Sequence, residues 1–390
     1  MRGSLRLLAA SAIALPTAAV VLTVPAGAET VAPAQAAAAV EAQLKPGLAG
    51  EQQPLATTLN GADTSEIITR AGANFLKLHV STLDLRSGDV LSIAAEGGAE
   101  ARTYDLGDLR PDGLWALSVD GDRVVASIEG ADGGAPDSAS TVTFDKVTRG
   151  FSDAELQERR ALKPKSVCGA GTDFKDTVCY ESEAPAQFAK TPSVGRLILA
   201  GGGYCTAWRI GAENQVMTNN HCIGAESDVS GAEVQFGYEC ATCGGADEGA
   251  GTKVAGDKFI KTNTGLDATL FSVQDFGSIS EFGYLELDNR LPDVGEEMYI
   301  IGHPDAMPKQ LSLADDTSDN GNCIVNQVKT GGVGEIPGSD IGYQCDTMGG
   351  SSGSPVLSKD TNKVIALHHL GGCPNQGARA DLIAAEFGLA

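Results

Sequence analysis

Hydrophobic and polar residues alternate with a period of two along much of the chain, which is the pattern of half-buried β-strands. Leu76, Leu78 and Val80, for example, alternate with Lys77 and His79. This alternation puts His79 on the polar face, so we interpret it as a surface histidine. Because such runs recur between turn residues, the sequence indicates an all-β protein.

The β-type runs fall into two regions. Residues 60–150 contain no cysteine and predict a small β-sandwich. Within them, Asp120-Gly121 separates two runs and predicts a hairpin, because both residue types tolerate the positive φ of a tight turn. Residues 166–390 predict two packed β-barrels from many short runs, among them 193–199, 233–236, 268–273, 297–301 and 363–367.

The segments that flank the β-sandwich have a different composition. Residues 29–59 are rich in Ala, Pro and Gln and predict a flexible lead-in. Ser152 and Glu155 have the spacing of a capping box and open a charged stretch that Pro164 ends. We therefore expect a helical linker over residues 151–165.

Residues 1–28 combine two early arginines with an apolar run and the small-residue exit Ala26-Gly27-Ala28. This pattern is typical of a cleaved secretory signal, and Pro16 within the run favours cleavage over a transmembrane anchor. All nine cysteines lie between Cys168 and Cys373. We interpret them as disulfide partners in a secreted, extracellular protein.

Composition narrows the class of partner. Hydrophobic residues make up 42% of the chain and charged residues 20%, which is the balance of a globular protein. The 51 acidic residues outnumber the 28 basic ones, so the net charge is -23. Such a surface repels phosphate backbones and anionic lipids, and we expect neither nucleic acid nor a membrane as a partner.

Three segments contain the side chains that nucleophilic acyl transfer requires. They are 217–222 with His221, 265–270 with Asp267, and 349–355 with Ser352. The reaction needs a hydroxyl nucleophile, an imidazole that removes its proton, and a carboxylate that orients the imidazole. A Gly/Ser turn or a structural histidine is the ordinary alternative for each motif alone, but here all three occur together.

The order and spacing of these motifs resemble the chymotrypsin-like (trypsin-like) serine proteases, especially secreted bacterial lysyl and glutamyl endopeptidases. The shared features are a histidine followed by a half-cystine, an aspartate before an apolar strand, and a G-x-S-G-[GS]-P loop, over about 170–385. The resemblance implies that Ser352 is the nucleophile, His221 the general base and then acid, and Asp267 the orienting carboxylate. It also implies an oxyanion hole formed by the N–H groups of Gly350 and Ser352.

The resemblance extends to the substrate pocket. His368 and His369 precede Gly371 on a segment similar to the strand that lines the substrate backbone, so all three are expected to shape the pocket. Asp346 lies six residues before Ser352, where trypsin-like members have a pocket carboxylate, and therefore predicts cleavage after Lys or Arg. Arg379 resembles a far-wall residue that could pair with that carboxylate.

Glutamate-specific relatives can carry Asp-Thr at this offset together with a pocket histidine, so glutamyl specificity is the alternative. We expect a monomeric enzyme that acts on protein or peptide substrates without a cofactor or metal. A catalytically silent binding protein on the same double barrel is the rival from another functional class.

The same resemblance implies three disulfides: Cys205 should pair with Cys222, Cys168 with Cys373, and Cys179 with either Cys240 or Cys243. Cys323 with Cys345 is the pairing that then remains, and a different pairing of the nine cysteines is the alternative. One cysteine of the Cys240-Ala-Thr-Cys243 pair then stays free, and a metal or redox role for this C-x-x-C motif is disfavoured in an exported protein.

Maturation is expected near Lys165-Ser166, in the charged linker. The family's usual zymogen switch places a new N-terminal ammonium against an aspartate just before the nucleophile, and this chain has Ser351 there. We therefore predict that cleavage separates the domains without being the step that forms the oxyanion hole. Residues 60–150 would be a pro-segment or an accessory domain.

Overall fold

The computed structural model describes residues 44–86, 88–162, 166–333 and 336–389. The predicted signal peptide, residues 29–43 of the predicted lead-in and Lys165 at the predicted cleavage point lie outside these residues. Within them, no helix is long and apolar enough to cross a membrane.

The first part of the described chain is a β-sandwich, as the sequence predicted. One sheet has the order β2-β10-β4-β7, with β8 also beside β4, and the other has the order β3-β9-β5-β6. Alternate residues such as Leu78 and Val80 of β4 fill the core between the sheets. The strands are β1 (Gly47–Leu48), β2 (Gly50–Asn60), β3 (Ser65–Thr69), β4 (Phe75–Asp84), β5 (Val90–Ala95), β6 (Arg102–Tyr104), β7 (Leu114–Trp115), β8 (Val119–Asp120), β9 (Arg123–Glu129) and β10 (Thr141–Gly150).

Two sequence predictions for this part are wrong. Asp120-Gly121 does not form a hairpin, because β8 pairs with β4 whereas β9 pairs with β3 and β5. Gly121, at φ 97°, instead turns the chain from one sheet to the other. The predicted lead-in contains β2, which starts at Gly50 and buries Leu59. The polar Gln and Thr side chains of β2 made its hydrophobic–polar alternation hard to recognise in the sequence.

The predicted helical linker is present as α1 (Asp153–Leu162). Its capping box forms as expected: the Glu155 N–H donates to Ser152 Oγ at 3.3 Å, and the Ser152 N–H donates to Glu155 Oε2 at 2.8 Å. The helix leads from the sandwich to the second part of the chain.

Residues 166–389 form the predicted double barrel. Strands β12 to β17 close into a six-stranded barrel in the order β13-β12-β15-β16-β17-β14, with β14 pairing back to β13. The other sheet has the order β11-β19-β18-β22-β23-β24-β21-β20, and a bridge between Glu297 and Ile324 joins its two sides. The strands are β11 (Lys175–Asp176), β12 (Val194–Ile198), β13 (Gly203–Arg209), β14 (Val216–Thr218), β15 (Glu233–Phe236), β16 (Thr252–Asn263), β17 (Ala268–Val273), β18 (Met298–Gly302), β19 (Gln310–Ser312), β20 (Val325–Thr330), β21 (Asp340–Tyr343), β22 (Pro355–Ser358), β23 (Val364–Leu370) and β24 (Asn375–Arg379), and the helices are α2 (Pro185–Phe188), α3 (Glu226–Gly231) and α4 (Ala380–Phe387).

The sandwich packs directly against the first barrel. Strand β1 extends the barrel sheet by pairing with β13, and Lys77 of β4 forms a 2.8 Å ion pair with Glu233 of β15. The interpretation of His79 as a surface residue is wrong. His79 is buried because other sandwich residues surround its ring: its Nε2 lies 2.9 Å from the Asp112 carbonyl oxygen, its Nδ1 contacts the Asp145 carboxylate, and the Trp115 ring lies beside it.

Four disulfides are present and agree with the predicted pairings. They join Cys168 to Cys373, Cys179 to Cys243, Cys205 to Cys222, and Cys323 to Cys345. Cys240 is the free cysteine, and it is buried.

Candidate active site

His221 and Asp267 form a tight pair between the loops that follow β14 and precede β17. Asp267 Oδ2 lies 2.7 Å from His221 Nδ1, and Asp267 Oδ1 accepts the His221 backbone N–H at 2.8 Å. Asn219 Nδ2 donates to the Asp267 carbonyl at 2.8 Å and holds the loop in place. The carboxylate thus favours the proton on Nδ1 and leaves Nε2 as the basic nitrogen.

The electrostatics of the pair keep Asp267 ionised. Burial alone would raise the pKa of Asp267, but His221 and His369 beside it lower that pKa well below its usual range. His221 Nε2 is buried and has no hydrogen-bond partner among the described residues. Ser352 is therefore not hydrogen-bonded to it in this structure.

Strand β13 positions the Ser352 loop next to His221. The Thr206 N–H donates to the Ser352 carbonyl at 2.8 Å, and Thr206 Oγ1 donates to the Gly350 carbonyl at 2.9 Å. The neighbouring Cys205 is joined by its disulfide to Cys222, which follows His221. One strand thereby connects the predicted nucleophile loop to the predicted base.

Two glycines in the Ser352 loop have no room for a side chain. A Cβ on Gly350 would lie 2.0 Å from the Tyr204 ring, and one on Gly353 would lie 2.1 Å from the Thr206 carbonyl oxygen. Both residues also have left-handed φ angles, 92° and 86°. The loop conformation therefore requires glycine at both positions.

His369 is buried behind Asp267, and the prediction that it lines the pocket is wrong. Its Nε2 lies 2.6 Å from Asp340 Oδ2, and its Nδ1 lies 3.5 Å from Asp267 Oδ2. Burial would lower the pKa of His369, but the two carboxylates raise it to about 9. His368 and His369 contact different residues of β21, Tyr343 and Asp340, so the two imidazoles do not share one wall.

His368 lies beside the Ser352 loop. Its carbonyl oxygen accepts the Gly353 N–H at 2.9 Å, and the Tyr343 hydroxyl is 2.7 Å from its Nδ1. Burial lowers the pKa of His368 to about 3, so the imidazole is neutral. Gly371 also lies at this wall, where a Cβ would come within 1.9 Å of Ser166 Oγ.

Asn375 joins the two sides of this region, and the sequence analysis missed it. Its Oδ1 accepts from Thr347 Oγ1 at 3.0 Å and from the Gly372 N–H at 2.9 Å. Its Nδ2 donates to the carbonyls of Cys345 and Ser166 at 2.7 and 3.2 Å. A single asparagine at the start of a strand has no sequence signal for such a role.

Asp346 and Arg379 do not pair with each other. Asp346 Oδ1 accepts the Cys168 N–H and Oδ2 accepts the Asp173 N–H, both at 2.8 Å, and burial raises the pKa of this carboxyl to about 6. Arg379 Nη2 lies 2.6 Å from Asp381 Oδ2. The arginine is at the last position of β24, from which it reaches the first turn of α4.

Comparisons with known proteins identify one domain family and two relatives. The model of the trypsin-like peptidase domain matches residues 205–367, which contain His221, Asp267 and Ser352. The secreted RxLR effector protein 73 of Plasmopara viticola is 32% identical over 340 residues, which cover 80% of this chain and 81% of that protein. The uncharacterized protein y4fB of Sinorhizobium fredii is 34% identical over 167 residues, covering 40% of this chain and 24% of that protein.

Among solved structures, a Glu endopeptidase in complex with MPD is 21% identical with a TM-score of 0.41, covering 56% of this chain and 95% of that chain. The inactive form of the Rv3671c protease of M. tuberculosis is 14% identical with a TM-score of 0.40, covering 54% of this chain and 94% of that chain. On the domain match over residues 205–367, the chain belongs to the trypsin-like (chymotrypsin-like) family of serine proteases.

Proposed function

We propose that the protein is a serine endopeptidase that cleaves peptide bonds through an acyl-enzyme. The observation that carries this proposal is the buried His221–Asp267 pair. It is joined by Thr206 of β13, whose N–H donates a hydrogen bond to the Ser352 carbonyl. Backbone hydrogen bonds and a disulfide hold the segments that contain both groups, and the proposal requires Ser352 Oγ to come within hydrogen-bond distance of His221 Nε2.

In this mechanism Ser352 Oγ attacks the carbonyl carbon while His221 Nε2 removes the hydroxyl proton. The N–H groups of Gly350 and Ser352 donate to the oxyanion that forms. The C–N bond then breaks, and the leaving amine takes the proton from His221. Water repeats the sequence on the acyl-enzyme, so the carboxylic acid is released and Ser352 regains its proton.

We propose that the enzyme is exported and acts as a monomer on protein or peptide substrates. The signal-like residues 1–28 and the four disulfides support export, as does the relative named as a secreted effector. The sandwich is proposed as an accessory domain that stays docked, since Lys77 and Glu233 form a buried ion pair across the contact.

For specificity, we propose an acidic residue on the acyl side of the cleaved bond. The basic preference depended on a free pocket carboxylate, whereas both oxygens of Asp346 are occupied by backbone N–H groups. Donation by the Tyr343 hydroxyl to His368 Nδ1 would leave the proton on Nε2 of the neutral ring. That N–H is a donor suited to a substrate carboxylate.

Labelling with a fluorophosphonate tests the catalytic proposal. We expect the purified full-length chain to be labelled and Ser352→Ala to remain unlabelled, with His221→Ala reduced by orders of magnitude. Absence of labelling in the unmodified chain would favour the silent binding protein. Labelling that persists in Ser352→Ala would exclude Ser352 as the nucleophile.

Fluorogenic peptides that differ only in Glu, Lys, Arg or Leu at the acyl-side residue test the specificity. We expect Glu to be cleaved fastest, with His368→Gln losing most of that advantage and Asp346→Asn keeping it. Faster cleavage after Lys or Arg, lost in Asp346→Asn, would instead establish the basic preference.

A further inference from the structure

A cluster of three carboxylates lies where the start of the double-barrel domain meets the loop after β19. Asp173 belongs to the first of these segments, and Asp315 and Asp316 belong to the second. One oxygen from each carboxylate lies within 4.8 Å of the others. The two segments are far apart in the sequence, so no sequence motif predicts that these carboxylates lie together.

Asp315 is the unusual member of this cluster. Its side chain is buried, with the whole residue 1% exposed. Oδ1 accepts from the Thr317 N–H and hydroxyl, whereas Oδ2 is buried and has no hydrogen-bond partner among the described residues. An ionised carboxylate oxygen that is removed from water without a donor or cation is costly, so this oxygen calls for a ligand.

The surroundings add negative charge instead of balancing it. Asp346, whose carboxyl accepts the N–H groups of Cys168 and Asp173, is a fourth carboxylate beside the cluster. Among the described residues, none of the three cluster carboxylates has a lysine, arginine or histidine nitrogen within 4.0 Å. Four carboxylates therefore share this corner of the molecule without a counter-charge from the described part of the chain.

The other hydrogen bonds of the cluster are compatible with a bound cation. Asp173 Oδ2 accepts the Asp316 N–H at 2.8 Å, and Asp316 Oδ2 accepts the Ala170 N–H at 2.8 Å. These contacts use one oxygen of each carboxylate and orient the group. The second oxygen of each remains available for a cation.

We propose that Asp173, Asp315 and Asp316 together bind one divalent cation, and that the ion is Ca²⁺. The donor set is oxygen only, which suits a hard cation and not zinc. Oxygens about 2.4 Å from a common Ca²⁺ can lie up to about 4.8 Å apart, and Ca²⁺ accepts an irregular shell that water completes. The ion would tie the start of the double-barrel domain to the loop after β19.

Calcium binding to the full-length protein tests this proposal independently of any protease activity. The chain is treated with EDTA, dialysed, and titrated with CaCl₂ or MgCl₂ at constant ionic strength, with thermal unfolding and calorimetry as readouts. We expect a dissociation constant of roughly 0.1–1 mM and a rise in Tm of several degrees at about 10 mM CaCl₂, with a smaller effect of MgCl₂.

Variants locate the site. Asp315→Asn and Asp316→Asn should abolish the Ca²⁺-dependent rise in Tm, whereas Asp319→Asn, an exposed neighbour in the same loop, should keep it. Without Ca²⁺, Asp315→Asn should be at least as stable as the unmodified chain, because it removes a buried charge. No effect of Ca²⁺ on the unmodified chain, or an undiminished effect in Asp316→Asn, would overturn the site. An equal rise with MgCl₂ would overturn the choice of ion.

Discussion

Arg160 in the linker helix forms an ion pair with Asp305 in the loop after β18, with Arg160 Nε 3.2 Å from Asp305 Oδ2. Asp305 in turn donates its backbone N–H to the Gly349 carbonyl at 2.6 Å, and its carboxylate accepts from the Tyr204 hydroxyl at 3.0 Å. Asp305 has a left-handed φ of 53°, so these contacts stabilise a conformation that non-glycine residues rarely adopt. The linker thus reaches the loop that contains the proposed oxyanion hole.

This arrangement leads to a prediction for Arg160→Gln. Without the guanidinium, the Asp305 loop should be less well ordered, and Gly349 and Gly350 with it. Because Arg160 is partly exposed, we expect labelling by a fluorophosphonate to slow by only roughly threefold to tenfold, or about 1 kcal/mol. Arg159→Gln is the matched control, since Arg159 lies over the Phe151 ring on the same helix. Equal labelling rates for the two variants would contradict a role for Arg160.

The His369–Asp340 contact predicts a pH dependence of stability. In the folded protein the pKa of His369 is raised to about 9, above its unfolded value of about 6.5. The stabilisation is therefore fully present below about pH 6.5 and is lost as the pH rises through 9. The titratable groups that face His369 are Asp267, Asp340, His221 and His368.

Urea unfolding at pH 6.5, 7.5 and 9 measures this effect. The free energy of unfolding should fall over this range, and Asp340→Asn should reduce the fall because it removes the carboxylate that bonds Nε2. Asp381→Asn serves as the control, since its carboxylate pairs with Arg379 and is more exposed. A pH dependence that is the same in Asp340→Asn and in the unmodified chain would argue against a charged His369.

The sequence predicted the residues that lie close together along the chain or follow a strand period. The strands 233–236 and 268–273 occur as predicted, because their apolar runs are short and bounded by turns. The His221–Asp267 pair could be expected from the family resemblance. Polar positions were harder, because a period of two identifies two faces of a strand without showing whether the polar face meets water or another domain.

Lys77 and His79 illustrate this difficulty, since Lys77 is buried against Glu233 of the barrel and His79 is buried within the sandwich. Asn375 and the carboxylate cluster of Asp173, Asp315 and Asp316 illustrate a second difficulty. Several of the residues that they contact lie far away in the sequence, and isolated Asn and Asp residues are most often turn or surface residues. Arg379 was predicted to lie at the far wall of the pocket, near Asp346. It instead forms an ion pair with Asp381, two residues away in the sequence.

We expect the Lys77–Glu233 ion pair to stabilise the contact between the sandwich and the first barrel. Both side chains are almost fully buried, and the Ser118 N–H also donates to Glu233 at 2.7 Å. Glu233→Gln leaves the ammonium of Lys77 without its counter-charge, so we expect a loss of about 3–5 kcal/mol in the free energy of unfolding. Glu226→Gln at the barrel surface should cost far less. Comparable losses in both variants, measured by urea unfolding, would show that the pair does not hold the domains together.

We expect the thiol of Cys240 to react only when the protein unfolds. The four disulfides use eight of the nine cysteines and leave Cys240 free. Burial, together with Asp176, Glu248 and Asp247, raises the pKa of its thiol to about 11, so little thiolate forms at neutral pH. Titration with Ellman's reagent should therefore detect no thiol in the native protein and one in guanidinium chloride, and Cys240→Ser should abolish that signal while it leaves fluorophosphonate labelling unchanged. Rapid reaction of the native protein, or a signal that survives in Cys240→Ser, would mean that a different cysteine is unpaired.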